Sequence, residues 1–223
     1  LHRAFTLPEF LFIVAAIRWT LLLSLVAFVG GGLVGFAIAI LRTTESRTLR
    51  LLTAGYIQLF QGTPVLMQLF VFYYGLAVLL GMQVDAWPAV ALAFTLYAGA
   101  FLGEIWRGSI QAIPRTQWEA SACLSLSYLQ QLRYVILPQA MRISIPPTVG
   151  FLVQLIKNTS IAAIIGFVEL TRAGQLMVNV TFEPMVVYPL VAALYFAMCW
   201  PLSLLGRFLE KGIDANLGVK RHL

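Results

Sequence analysis

The residues of this 223-residue chain that could do chemistry are few, and nearly all stand in or beside apolar runs. Lys157, Asn158, Thr159 and Ser160 interrupt the otherwise uncharged stretch from Ile143 to Val168, and Gln61, Gly62, Thr63 and Pro64, with Gln68 one turn on, interrupt another from Leu51 to Val84. Tyr97 lies within a third, and Glu104 follows it directly. Ammonium, amide, hydroxyl and carboxylate groups so placed suit the holding of a small polar solute. Polarity at hydrocarbon depth is costly and therefore marks function. Bond-making chemistry has no candidates: there is no Ser/His/Asp, HExxH or paired-carboxylate arrangement, and His2 and His222 sit in the tails.

Other patterns resolve into structural roles. Cys123 and Cys199 have no CxxC or metal-ligand spacing, so neither a metal nor a cofactor is expected on this chain. The run Gly30-Gly31-Gly32-Leu33-Val34-Gly35 spells GxGxxG but has no preceding strand; Gly31 and Gly35 read instead as a GxxxG pair that lets another helix approach closely. No GxxxxGK[ST] occurs, so the chain cannot by itself cradle ATP phosphates. Asn158-Thr159-Ser160 matches a glycosylation sequon at a depth where that match is accidental.

What must position the polar groups is a membrane bundle. With 60% hydrophobic and 11% charged residues, and a mean hydropathy of +0.87, the composition excludes a soluble globule of this size. Uncharged runs near or above the ~20 residues needed to cross hydrocarbon predict membrane helices over 19–41, 51–80, 86–110, 134–168 and 185–208. Residues 1–18 read as an outer interfacial helix leading into the first span. The net charge of +6 does not call for nucleic acid. Eleven of the 15 Lys and Arg residues cluster at one side: Arg42, Arg47 and Arg50; Arg107, Arg115, Arg133 and Arg142; Arg207, Lys211, Lys220 and Arg221. The positive-inside rule makes that side cytoplasmic, with the N-terminus outside and the C-terminus inside. Helical rise then puts Gly62 about 17 Å from Leu51, Tyr97 a similar distance from Ala86, and Lys157 about 21 Å from Ile143. Three helices thus bring polar or small groups to similar depth, and the Gln61–Pro64 stretch places a helix break there, as transporters build sites from.

Between the third and fourth of these helices lies a cytoplasmic loop, 116–132, longer and more patterned than a connection needs. Thr116 and Glu119 have the spacing of a capping box, and Trp118, Ala122, Leu126 and Leu129 recur at helical spacing before Pro138 breaks the pattern. A loop folded in this way is expected to be gripped by a partner.

These residues resemble the permease subunits of bacterial ABC importers for polar amino acids. That family's cytoplasmic loop carries Glu-Ala-Ala, three residues, Gly, nine residues, Ile, one residue and Leu-Pro; here the same register holds Glu119, Ala120, Ser121, then Ser125, Val135, Leu137 and Pro138. The similarity continues through QGTPVLMQLFVFYYGL from Gln61, YAGAFLGEIWRGSIQAI from Tyr97, ILPQAMR from Ile136 and KNTSIAAIIGFVELTRAGQ from Lys157, covering nearly the whole chain. Departures include Ser125 for the usual Gly, Gln61 for a frequent Arg, Gly150 for Asn and Asn158 for a frequent Asp; the last weighs against a dibasic substrate.

The resemblance implies an all-α integral membrane protein of five transmembrane helices with short cytoplasmic coupling helices, a single domain over 1–223, in the bacterial inner membrane. It implies a second permease, identical or homologous, a cytoplasmic ATPase dimer carrying ATP and Mg, and a periplasmic amino-acid-binding protein. Trp118, Glu119, Ala120, Leu124 and Ser125 are then expected to couple to the ATPase, with Glu119 to Leu126 as a coupling helix. Gly62, Thr63, Pro64, Gln68, Tyr97, Glu104, Lys157, Asn158, Thr159 and Ser160 are expected along the substrate path. Alternatives are a permease for a related solute, such as an opine or a sulfur amino acid, and a stand-alone channel or secondary transporter. The last would show coupling acids or an internal repeat in its spans.

Overall fold

The computed structural model describes residues 4–44, 46–81 and 85–217. His2, Arg3, Lys220, Arg221 and His222 lie outside these residues. Described elements are all helical: α1 (Leu7–Thr43), α2 (Arg47–Gly62), α3 (Val65–Leu80), α4 (Ala86–Gln111), α5 (Arg115–Cys123), α6 (Tyr128–Gln131), a π-helical turn (Leu132–Ile136), α7 (Leu137–Asn158), a 3-10 segment (Thr159–Ile165), α8 (Leu170–Thr181) and α9 (Pro184–Leu217). Four helical runs among them, 7–43, 86–111, 128–165 and 184–212, are long and apolar enough to cross a membrane, and the α2–α3 pair is a fifth candidate broken in the middle.

The helix ends follow local chemistry. α1 begins where Thr6 N–H donates to the Glu9 carboxylate at 3.0 Å in a capping box. It then runs without interruption to Thr43, so the expected separate interfacial helix over residues 1–18 is not a distinct element. Arg18, the last residue of that segment, lies over the Trp19 ring at 5.3 Å within the continuous helix. The expected helix over 51–80 is two helices turned by 104°. Pro64 has no N–H to continue α2 and pushes Thr63 into extended backbone (φ −118°, ψ 146°). The break falls where Gly62 and Pro64 predict it; a kinked but continuous span does not form.

α1 and α4 make the central seam. An added Cβ at Gly31 would stand 2.4 Å from the Ala98 Cβ, and one at Gly35 2.8 Å from Gly103 N. The GxxxG pair therefore meets Gly99 and Gly103 backbone to backbone. Around this seam Leu23, Phe94, Tyr97, Leu102, Phe151 and Leu155 form the main buried cluster, and a second, of Ala39, Ile110, Ile113, Leu132, Ile136 and Ala140, closes one end of the bundle. A third, of Ile13, Leu170, Val187 and Val191, packs α8 on α1 and α9.

Two further boundaries differ from expectation. The fourth span starts at Tyr128, inside the expected loop, because the π turn absorbs Pro138: Leu137 N–H bonds the Leu132 carbonyl and the helix passes through the proline instead of breaking. The last helix extends past 208 to Leu217.

Candidate functional site

The loop between α4 and α7 is a short helix mounted on a platform. Pro114 precedes the first turn of α5, so Thr116 is already helical and the Thr116–Glu119 capping box does not form; capping boxes occur at Thr6 and at Ser127, where Ser127 N–H donates to Gln130 Oε1 at 2.9 Å. The helix expected over Glu119 to Leu126 runs instead over Arg115–Cys123, and the apolar stripe ends with it.

A Schellman turn closes α5: Ser125 N–H bonds the Ala122 carbonyl at 2.9 Å, Leu126 N–H the Ser121 carbonyl at 3.4 Å, and Ser125 is left-handed at φ 58°. The turn is thus as sharp as a glycine would make it, with a serine in the glycine position. An L residue in this conformation costs roughly 1–2 kcal/mol. Ser125→Gly is accordingly expected to stabilise the protein by about 1 kcal/mol, read as a higher melting temperature of the detergent-purified permease.

The platform fixes the orientation of α5. Trp118 is half-buried on the cluster of Ile110, Ile113 and Ile136 and stacks on Tyr128 with centroids 6.1 Å apart and ring planes 17° from parallel. Tyr128 OH donates to the Thr43 carbonyl at 3.0 Å, joining this turn to the end of α1, and Ser121 is buried. Glu119, Ala120 and Cys123 are exposed, as is Leu124 at 74%. Trp118, expected to point at a partner, is instead the anchor beneath. The outward face is Glu119, Ala120 and Leu124.

The polar groups within the bundle form two constellations. Tyr97, buried on α4, accepts from Asn158 Nδ2 at 3.1 Å, and Asn158 Oδ1 accepts from Gln154 Nε2 at 3.0 Å. Beside them Lys157 is exposed and makes no ion pair among the described residues. Thr159 and Ser160 hydroxyls donate to the Ile156 and Lys157 carbonyls, both at 2.7 Å.

At the α2–α3 break Gly62, Thr63 and Pro64 are exposed. Gln68 folds back over it: Nε2 donates to the Phe60 carbonyl at 2.8 Å and to Thr63 Oγ1 at 2.9 Å, while the buried Oε1 has no partner among the described residues. Tyr56 OH donates to the Leu96 carbonyl at 2.5 Å and Gln61 Nε2 to the Ala100 carbonyl at 3.5 Å. Those carbonyls flank Tyr97 on α4, so the break and the Tyr97–Asn158 pair share one stretch of helix. Glu104 stands apart, bonded to Arg107 Nε at 2.8 Å and to Arg42 at 3.4 Å. It ties α1 to α4.

A buried carboxylate escaped the sequence reading. Glu169 is 0% exposed and caps α8, its oxygens accepting from Thr171 N–H at 2.8 Å, Arg172 N–H at 2.9 Å and Tyr195 OH at 2.7 Å. Burial pushes its carboxyl above the ordinary range against the opposing pull of those bonds. Leu170 N–H donates to Thr20 Oγ1 at 3.1 Å, so the cap joins α1, α8 and α9. The signal is present in the motif Glu169-Leu-Thr-Arg-Ala-Gly-Gln, but Glu is not a favoured N-cap residue.

An all-helical bundle with a broken span, polar groups held between helices and a rigid exposed helix at one end is a transport architecture. Residues 31–218 match the family described as the binding-protein-dependent transport system inner membrane component. The chain belongs to this family. The permease is 35% identical over 205 residues to the probable amino-acid ABC transporter permease protein YckA of Bacillus subtilis, covering 92% of this chain and 90% of that one. It is also 35% identical to the L-cystine transport system permease protein TcyB of the same organism, over 89% and 85% of the two chains. A crystal structure of an amino acid ABC transporter with histidines superposes with a TM-score of 0.84 at 32% identity, over 90% of this chain and 93% of that one. The protein is therefore a permease component of an amino acid ABC importer, a multi-pass transport subunit that acts with an ATPase and a binding protein. The stand-alone channel and secondary transporter readings give way to this.

Proposed function

We propose that the permease carries a polar amino acid from the periplasm to the cytoplasm by alternating access, driven through α5 by a separate cytoplasmic ATPase dimer that holds ATP and Mg. A periplasmic amino-acid-binding protein delivers the substrate, and a second permease, identical or homologous, completes the path. The observation that carries this reading is the mounting of α5: Trp118 and Ser121 are fixed to the platform while Glu119, Ala120 and Leu124 face outward, so a push on the outer face reaches α1, α4 and α7 as rigid-body displacement. The clustered basic residues support an outside N-terminus and inside C-terminus.

The exposed break at Gly62–Pro64, Gln68, and the Lys157–Asn158–Tyr97 group form the substrate path. An ammonium at Lys157 and amide groups at Asn158 and Gln154 suit a carboxylate and a neutral polar side chain better than a dibasic one. Reconstitution in proteoliposomes with the ATPase and binding protein tests the reading. Uptake should require ATP on the α5 side and persist when ion gradients are collapsed; uptake driven by a gradient without the ATPase would contradict it.

A further inference from the structure

A cavity of about 330 Å³ lies between α1, α4 and α7, at the end of the bundle where α5 sits. Its wall is hydrocarbon from three helices, including Phe36, Ile110, Ala140, Met141 and Ile145. The two hydroxyls that reach it each have a protein partner: Ser144 Oγ donates to the Met141 carbonyl at 2.8 Å, and Thr148 Oγ1 accepts from Trp106 Nε1 at 2.9 Å. Polar groups on this wall are confined to those two side chains and the Trp106 indole, so the cavity suits an alkyl chain better than a cluster of water.

Arginines stand close in sequence to lining residues on two of these helices. Arg142 follows Met141 and precedes Ile145 by one turn, is exposed, and makes no ion pair among the described residues. Arg42 stands one turn beyond Ala39 on α1, its side chain 23% exposed and shared with Glu104. An apolar slot with an exposed, unpaired arginine next to its lining residue Met141 complements a molecule with a hydrocarbon tail and a phosphodiester head.

We propose that this cavity binds one acyl chain of an anionic phospholipid, with the headgroup at Arg142. Ala39, Trp106, Ile110, Leu137 and Ala140 belong both to the cavity wall and to the cluster on which Trp118 rests. An occupied cavity therefore braces the platform of α5, and anionic lipid raises ATP-driven uptake. The bracing rests on the proposed role of α5; the binding does not.

Native mass spectrometry of the assembled importer, taken from nanodiscs of phosphatidylglycerol or phosphatidylcholine, separates the two. The wild type should retain one phosphatidylglycerol per permease. Met141→Trp, which fills the mouth from an exposed position, should lose it, and Arg142→Gln should lower the preference for phosphatidylglycerol about fivefold. Ile145→Trp provides a second plug if Met141→Trp fails to assemble. Retention without headgroup preference, equal retention by the plugged variants, or a disulfide between Met141→Cys and its counterpart in the second permease would overturn the proposal. Loss of lipid with unchanged uptake would leave the site and remove the bracing.

Discussion

Replacing Glu119 with lysine is expected to lower ATP-driven uptake on the order of 30-fold while leaving the amount of permease in the membrane unchanged. Glu119 is exposed on α5 and makes no hydrogen bond or ion pair within the chain among the described residues, so its charge is not needed for the fold. Surface changes of that kind typically alter stability by about 0.5 kcal/mol or less. On the proposed docking of α5, Glu119 meets a cation of the ATPase; removing one member of a buried, hydrogen-bonded charge pair costs roughly 2–5 kcal/mol, and a lysine there would add repulsion. Uptake into vesicles, ATP hydrolysis and permease abundance read together separate uncoupling from misfolding. Normal uptake with full ATPase assembly would remove Glu119 from the coupling face.

The largest effect on the fold is expected from Gly35→Leu. The first carbon of that side chain would lie 2.8 Å from Gly103 N and 3.0 Å from Gly99 O. Both are backbone atoms of α4 and have no rotamer by which to withdraw, so the α1–α4 seam must open along its length. Overpacking a core costs about 1–3 kcal/mol where side chains can shift, and more where they cannot. The variant should fail to accumulate as a monodisperse protein in detergent, with Gly35→Ala intermediate. Gly108→Ala on the same α4 helix has nothing within 4 Å and serves as the silent control. A well-folded Gly35→Leu protein would mean that the seam is looser than its geometry.

Several of these features are legible in the residues alone. Uncharged runs locate the spans, Gly31 and Gly35 announce the seam, and Gly62 with Pro64 announce the break. The 104° turn at that break was not legible, because a proline reports the missing N–H but not the surface on which the next helix will pack. α8 was missed since its 12 residues carry Arg172 and are short for a hydropathy window. The resemblance implies a contact of Trp118 with the ATPase, and the stripe it begins predicts a helix through Leu126; the Ser125 turn ends that helix first and Tyr128 comes back to meet the indole. Asn158 and Tyr97, 61 residues apart, are brought together only by the packing of α7 on α4. Their types suggested the site; their pairing needed the fold.

Cys123 offers the most direct test of whether α5 is where the ATPase acts. It is exposed next to Glu119 and Leu124, and the other cysteine, Cys199, is buried. A photoactivatable maleimide attached at Cys123 in the assembled importer should form a covalent adduct with the ATPase, in a yield that changes when ATP is added, and Cys123→Ser should abolish it. Adducts only with lipid, with the second permease or with the binding protein would show that this helix is not the point at which the motor engages the membrane bundle.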